Sequence, residues 1–205
     1  AQPRGAGAES LDPIREEARV GTAAADQWLK ARRSVRAFEE RPVSRDVLLE
    51  VLDITRWAPT AGNRQPVKWL VFEARQELVR LGGLVANALR PIPYFTRFAE
   101  EWDRGHDPIF RGAPHLVVAC APKQGFDPAT DCAIALEYLE LAAYAHGLGT
   151  CWAGVVMAGV ARNPEVLAFL AVPEDHQFCG AMMIGYPRYT YQRIPRRNPL
   201  NVTWR

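Results

Sequence analysis

The sequence predicts an α+β fold, because segments with the apolar spacing of helices are mixed with short apolar runs typical of buried strands. Their order lacks the regular strand–helix–strand rhythm of a parallel sheet. The chain has 205 residues, 48% of them hydrophobic and 23% charged, which suits one globular domain and excludes disorder for the chain as a whole. The net charge of +2 does not favour nucleic acid or a membrane as a partner, and no long uncharged apolar run predicts a membrane span.

The N-terminal half is predicted to begin with an arm over residues 1–22, which lacks the pattern of a signal peptide. Residues 23–205 form the predicted domain. Ser44 is a favourable N-cap for a helix that Pro59 ends, because the residue before a proline resists helical angles. The other predicted elements here are a short helix near 12–18, a helix over 23–32, a loop over 58–66, a strand over 69–72 and a helix over 76–89.

The C-terminal half is predicted to begin with a partly ordered, aromatic excursion over residues 91–112. A helix over 129–146 is apolar almost all round, and a chain of this size hardly has the mass to bury it on every side. This pattern favours a partner subunit. The remaining predicted elements are strands over 115–120, 150–157 and 177–185 and a helix over 164–170. Asp127 and Asn163 are the predicted N-caps of the helices over 129–146 and 164–170.

The four cysteines and four histidines form no metal-binding motif, and no metal site is predicted. Each cysteine lies in an apolar run and none belongs to a CxxC pair, which favours buried thiols in a reducing, cytoplasmic compartment over a disulfide framework or a zinc site. The sequence contains no GxGxxG, GxxxxGK[ST] or GxSxG motif. A dinucleotide Rossmann site and a P-loop are therefore unsupported.

Four segments that are far apart in the sequence are candidates for a ligand site. Residues 32–36 and 193–197 are rich in arginine, whose forked guanidinium group suits phosphate. Residues 60–65 carry two amide side chains, which can donate and accept hydrogen bonds and so suit a heterocycle. Small residues in 147–154 let the backbone approach a flat ligand. Each segment alone also fits a structural role, as a solvated face, a loop turn or a tight helix–strand turn.

Taken together, the motifs in these segments resemble the FMN-dependent nitroreductase family. They are Arg32-Arg33-Ser34-Val35-Arg36, Pro59-Thr60-Ala61-Gly62-Asn63-Arg64-Gln65-Pro66, Gly149-Thr150-Cys151-Trp152-Ala153-Gly154 and Gly185-Tyr186-Pro187. Their order and spacing agree over residues 25–200. The stretches 10–15, 111–115 and 191–199 are similar to the branch in which an N-terminal ferredoxin-type 4Fe–4S domain precedes the nitroreductase domain. The cluster-binding cysteines of that domain are absent here, so it was cut away or was never present in this member.

The resemblance implies an αβα sandwich around a central, mostly antiparallel sheet. It also implies an intertwined homodimer with two FMN sites at the subunit interface. Arg32, Ser34 and Arg36 would hold the FMN phosphate and the pyrimidine edge of the ring, Asn63 would bond to the ring, and Gln65 would brace its loop. The residues implied to bind the cofactor are Arg32, Arg33, Ser34, Arg36, Pro59, Thr60, Ala61, Asn63, Gln65, Trp152, Ala153, Gly154, Arg193, Arg196 and Arg197.

The activity that the resemblance implies is electron or hydride transfer through the flavin, with no catalytic side chain. The backbone of Ala153 and Gly154 would approach flavin N5. The donor would be NAD(P)H or a ferredoxin-like iron–sulfur protein, and the acceptor a small flat molecule such as a nitroaromatic or a quinone. Four aromatic residues are candidates for stacking on that acceptor: Tyr94, Phe95, Phe98 and Trp102. Each of them also fits simple packing at the dimer surface.

Two alternatives stay open beside this activity. The chain could bind flavin without turnover, as a carrier or regulatory module. It could also be an enzyme that modifies flavin itself.

Overall fold

A four-stranded antiparallel sheet organises the fold of the chain, in a computed structural model that describes residues 13–205. The strands are β1 (Lys68–Phe72), β2 (His115–Pro122), β3 (Gly149–Trp152) and β4 (His176–Gly185), in the spatial order β1-β2-β4-β3. The strand β2 lies between β1 and β4 and is buried over most of its length. The expected antiparallel sheet is therefore confirmed, and the two edge strands are the short ones, β1 and β3.

The described residues also contain seven helices. They are α1 (Thr22–Ala31), α2 (Arg45–Ile54), α3 (Arg75–Leu89), α4 (Thr96–Asp103), α5 (Pro128–Ala145), α6 (Gly154–Val160) and α7 (Pro164–Phe169). Three of them begin at the caps that the sequence predicts. The side chains of Ser44, Asp127 and Asn163 accept hydrogen bonds from backbone N–H groups in the first turns of α2, α5 and α7.

The two faces of the sheet each carry a separate hydrophobic core, which makes the fold an αβα sandwich. Side chains alternate along β2, so that Leu116 and Val118 point into one core while Val117 and Ala119 point into the other. The first core packs α3, α4, α6 and α7 against the sheet, and the second packs α2 and α5. The α+β class and the sandwich architecture are confirmed.

The chain divides into two units, of which the larger, Arg32–Arg193, contains the whole sheet. Within the described residues the smaller unit comprises 13–31 and 194–205, with α1 and a 3₁₀ turn at Glu16–Ala18. The short helix predicted near 12–18 is reduced to that turn. The first residues of the predicted N-terminal arm, 1–12, lie outside the described residues.

Two segments differ from the sequence predictions. The strand predicted over 150–157 ends at Trp152, and the apolar residues that follow it form the helix α6. This helix lies close to α3, because a Cβ atom at Gly159 would come within 3.2 Å of Val85. The segment 91–112 contains α4, and its residues Ile109 and Phe110 are buried in the first core.

The long helix α5 is covered on only one side within one chain. The residues of its outer face are Ala133, Ile134, Glu137, Tyr138, Leu141, Tyr144 and Ala145, all of them exposed or half-buried. Only Glu137 among them carries a charge. A single chain therefore does not bury this helix on every side, as the sequence predicts for a chain of this size, and it leaves an apolar outer face.

Candidate functional site

Residues 32–36, the cationic segment, are fixed against the start of β3. Ser34 forms an isolated parallel bridge with Thr150, and the backbone N–H of Val35 donates to the carbonyl oxygen of Thr150 at 2.8 Å. A glycine is required opposite this contact, because a Cβ atom at Gly149 would lie 2.6 Å from the Val35 side chain. The cationic segment thus lies beside the edge strand β3 and is held to it at Ser34 and Val35.

Arg32 does not present a free positive charge, because its guanidinium group donates to the carboxylate of Glu140 on α5. The Glu140 side chain is 4% exposed and that of Arg32 is 22% exposed. Burial raises the pKa of Glu140, and the neighbouring Arg32 opposes this shift. This buried pair fixes the start of the cationic segment and offsets the charge of Arg32, which the sequence assigned to phosphate.

Arg36 and Arg111 carry uncompensated positive charge in this region, as does Arg33 beside Tyr191. Arg36 is exposed and donates to the carbonyl oxygen of Ser34, and none of the three arginines has a carboxylate within ion-pair distance in the part of the chain that the structure describes. Arg36 and Arg111 lie near Cys151, since burial raises the pKa of that thiol while these two arginines act to lower it. A carboxylate or phosphate group of a ligand would balance these charges.

The C-terminal tail is connected to the cationic segment through Tyr191. The guanidinium carbon of Arg33 lies 4.6 Å from the centroid of the Tyr191 ring, a cation–π contact. Arg193 follows two residues later and is exposed. Arg196 and Arg197 are also exposed and belong to the smaller unit, so their predicted contact with phosphate remains a prediction.

Residues 59–66, the amide loop, hold an unusual backbone conformation. Asn63 and Gln65 have φ angles of 53° and 50°, in the left-handed region that few residues other than glycine adopt. The Gln65 amide donates to the Asn63 side chain at 3.2 Å, and the backbone N–H of Gln65 donates to the hydroxyl of Thr60 at 3.0 Å. These two bonds tie Gln65 to its own loop, and they leave the exposed Asn63 amide nitrogen available to a ligand.

The amide loop and the cationic segment are attached to opposite edges of the buried face of α5. The backbone N–H of Ala61 donates to Asp131 at 2.9 Å, whereas Arg32 bonds to Glu140. These acids are nine residues apart, which corresponds to about 13.5 Å along a helix and about half a turn around it. The two segments are therefore attached to one chain at well-separated points of α5.

The end of β3 offers an open stretch of backbone. Ala153 is buried and its N–H donates to the carbonyl oxygen of Ala181 at 2.9 Å, while Gly154 is exposed. A Cβ atom at Gly154 would meet no atom within 4 Å, so a ligand could approach the backbone there. The Trp152 side chain packs against the second core, where its ring lies 3.1 Å from a Cβ position at Gly180.

The four aromatic residues proposed to stack on an acceptor have different environments. Tyr94 is 79% exposed and makes an edge contact with Phe95, which in turn packs against Phe98. The ring of Trp102 fills the space beside Gly82 on α3, where a Cβ atom would lie 2.1 Å away. Packing on α3 therefore accounts for Trp102, and Tyr94 presents the most accessible ring of the four.

A cleft of about 650 Å³ opens beside the amide loop, between α2, β1 and α5. Thr60 and Gln65 line it, together with apolar residues such as Leu52 and Val67.

Within residues 13–205 no helix is long and apolar enough to cross a membrane. The same residues contain no cluster of three or more potential metal ligands of the His, Cys, Asp and Glu types.

The positions of these segments agree with the comparison of the chain with protein families. The model of the Nitroreductase family matches residues 29–186, which include the cationic segment, the amide loop and the end of β3. The chain belongs to the Nitroreductase family. Its predicted C-terminal contacts, from Arg193 onwards, lie beyond the matched residues.

Individual proteins are similar to this chain over more than four fifths of its length. The chain is 31% identical over 189 residues to the 5,6-dimethylbenzimidazole synthase of Rhodospirillum rubrum, covering 83% of both chains. It is 28% identical over 181 residues to an Archaeoglobus fulgidus protein provisionally named NADH dehydrogenase/NAD(P)H nitroreductase, covering 84% of this chain and 92% of the relative. A nitroreductase structure with bound FMN from Bacteroides fragilis shares the fold, with a TM-score of 0.70, 24% identity and coverage of 86% and 97%.

Sequence reasoning missed two residues of this site, Glu140 and Arg111. Glu140 lies among apolar residues of α5, and a buried carboxylate needs a positive partner, so its place in the helix was a usable signal. Arg111 precedes a glycine in a turn, and nothing in its local pattern distinguishes it from a solvated arginine. The sequence thus offered a signal for Glu140, whereas Arg111 is distinguished only when the fold places it beside the cationic segment.

Proposed function

We propose that this member of the Nitroreductase family is an FMN-dependent oxidoreductase. The observation that carries the proposal is the uncompensated charge of Arg36 and Arg111 on the side of β3 where the cationic segment is fixed. The open backbone at Gly154 lies two residues beyond the end of the same strand, at the start of α6. A flat ligand that ends in a phosphate fits both features, and FMN in the Bacteroides fragilis structure supports this choice.

The roles proposed for the chain's own residues follow from their contacts. Arg36 would hold an anionic part of the cofactor, with Ser34 and Arg33 beside it on the same segment. Arg32 would act mainly by fixing that segment through Glu140. The exposed backbone at Gly154 would let the ring approach the end of β3.

We propose further that two chains build each site as a homodimer. In one chain the amide loop and the cationic segment lie on opposite edges of the buried face of α5, so Asn63 of a second chain would complete the site. The outer face of α5 is apolar, and near it on α2 and the following turn Leu49 is 63% and Trp57 65% exposed. These surfaces are suited to burial against a second copy.

When bound, FMN would take electrons from a donor and pass them, as a hydride or singly, to an acceptor. The chain would contribute binding and orientation, since the flavin itself would carry the redox chemistry. NAD(P)H is the donor favoured by the name of the Archaeoglobus fulgidus relative, and a ferredoxin-like protein is the competing donor. The acceptor would be a small flat molecule, and the four free thiols favour a reducing, cytoplasmic setting.

The cofactor proposal is tested by the visible spectrum of the purified protein. We expect flavin absorption bands, release of the flavin on heating, and identification of the released flavin as FMN by chromatography. Rapid mixing without oxygen then compares NADH, NADPH and a reduced ferredoxin by the bleaching of these bands. A colourless protein that takes up no added FMN would refute the proposal.

A second candidate function is modification of the flavin itself. It is favoured by the relative named 5,6-dimethylbenzimidazole synthase, because the dimethyl-substituted benzene ring bearing two nitrogens is common to that product and to flavin. Mass analysis of FMN after aerobic incubation with the protein and a reductant distinguishes the two candidates. Unchanged FMN with rapid reduction of a quinone or nitroaromatic supports the oxidoreductase. Bound flavin that no acceptor reoxidises would instead indicate a non-catalytic carrier or regulatory module.

A further inference from the structure

The turn before β2 holds Arg111 in a fixed and unfavourable backbone conformation. Arg111 has a φ of 58° and Gly112 a φ of 78°, both in the left-handed region. The carboxylate of Asp107 accepts hydrogen bonds from the backbone N–H groups of Phe110 at 2.8 Å and Gly112 at 3.1 Å. Ile109 and Phe110 are each 1% exposed, so the turn is anchored in the core. The strain at Arg111 is thus maintained by contacts on both sides of it.

This turn lies directly against the residues that follow the cationic segment. A Cβ atom at Gly112 would lie 3.9 Å from the carbonyl oxygen of Phe38, which is two residues after Arg36. Pro114 is also close to the end of β4, since a Cβ atom at Gly185 would lie 2.5 Å from its ring. Arg111 and Arg36 therefore start from neighbouring backbone positions at one end of the sheet.

The two arginines differ from Arg32 in how their charge is balanced. Arg32 is neutralised by Glu140, whereas Arg111 is half-buried and forms no ion pair in the portion of the chain that the structure describes. An anionic group of a ligand would supply the counter-charge that this arginine lacks. The packing contacts of the turn explain its backbone, but they do not explain an arginine at this position.

We propose that Arg111 is a binding residue of this site and holds a negatively charged oxygen of the bound flavin or of its acceptor. The inference rests on the proposed function, which supplies the flavin. It adds to that function a second cation that faces the same region as Arg36. The chemistry is the same for either source of the oxygen, a phosphate or ring oxygen of FMN or a carboxylate of the acceptor.

The position offers a variant that separates binding from folding. Arg111→Gly removes the guanidinium group and relieves the left-handed backbone at the same time, so it should be at least as stable as Arg111→Gln, which keeps the strain. Arg111→Lys keeps the charge. Lys123→Gln is the matched control, because Lys123 is exposed just beyond the far end of β2, about 27 Å from the Arg111 end.

The experiment measures the FMN dissociation constant of each apoprotein by fluorescence and the KM of each holoenzyme for 4-nitrobenzoate and 4-nitrobenzamide. If the oxygen belongs to flavin, Arg111→Gly and Arg111→Gln raise the FMN dissociation constant at least tenfold. If it belongs to the acceptor, they raise the KM for the carboxylate at least tenfold over that for the amide. In both cases Arg111→Lys, which keeps the charge, should stay close to the parent protein in the affected quantity. Lys123→Gln should have the parent values of both the FMN dissociation constant and the KM.

The inference would be overturned if folded Arg111→Gly protein had an FMN dissociation constant and a ratio of the two KM values within twofold of the parent. The proposed function would remain intact in that case. A parent protein that binds no FMN would overturn both. The thermal midpoints of the two variants decide whether a loss of binding comes from misfolding, since only a loss shared by a stable Arg111→Gly counts in favour of the inference.

Discussion

The buried pair of Arg32 and Glu140 allows the sharpest prediction for stability. Glu140→Gln keeps the size of the side chain and removes its charge, which leaves the Arg32 guanidinium group without its partner. Removing one member of a fully buried pair costs about 3–5 kcal/mol. Because the Arg32 side chain remains 22% exposed, water offsets part of this loss, and we expect about 2–3 kcal/mol. For a chain of 205 residues this corresponds to a decrease in thermal midpoint of roughly 4–12 °C.

Urea unfolding followed by circular dichroism measures this change, at one fixed protein concentration because association shifts apparent stability. Glu174→Gln is the control, since Glu174 is exposed and has no ion-pair partner in the described chain, and it should change stability by less than about 0.5 kcal/mol. The double variant Arg32→Gln with Glu140→Gln should be about 1–3 kcal/mol more stable than the sum of the single losses predicts. Additivity of the two single changes would refute the view that the pair acts as a unit.

Three further predictions concern the cofactor, the dimer and pH. Arg36→Gln should weaken FMN binding by about 1.5–3 kcal/mol, measured by flavin fluorescence against Lys123→Gln, and an unchanged affinity would remove Arg36 from the site. Tyr138→Glu places a charge on the outer face of α5 and should convert a dimer into a monomer in sedimentation velocity; a persistent dimer would locate the interface elsewhere. Burial lowers the pKa of His115, which is 1% exposed, against an opposing effect of Glu73. Its folded state therefore binds a proton less readily than its unfolded state, and stability is lost as pH falls below about 6.5, by up to about 1.4 kcal/mol per pH unit. The same pH titration of His115→Gln should lack this part of the slope.

The elements that the sequence predicted well are those with local signals. Ser44, Asp127 and Asn163 each act as the N-cap that their position suggested, because a cap depends only on the next three residues. The apolar run after Trp152 was wrongly predicted as a continuation of the strand. Such a run is too short for its periodicity to separate helix from strand. Its helical conformation goes with tertiary packing, since Gly159 lies close to Val85 on α3.

The candidate site shows a similar division between local and distant information. The motifs located the cationic segment and the amide loop, and Gln65 bonds to Asn63 within that loop. The pairing of Arg32 with Glu140 spans 108 residues of sequence, so no local pattern could reveal that its charge is already balanced. The emphasis therefore moves from Arg32 to Arg36 and Arg111, whose importance follows from a charge balance that only the folded chain defines.

In the proposed dimer the helix α5 would connect folding, association and binding. One edge of its buried face holds the amide loop through Asp131, the other edge holds the cationic segment through Glu140, and the apolar outer face lies between these edges on the far side of the helix. A second chain seated on the outer face would lie beside both edges. The two acids that fix the binding segments are thus on the same rigid element as the proposed interface. It follows that a substitution that shifts α5 should change cofactor affinity and dimer stability together, whereas one confined to Asn63 or Arg36 should change affinity alone.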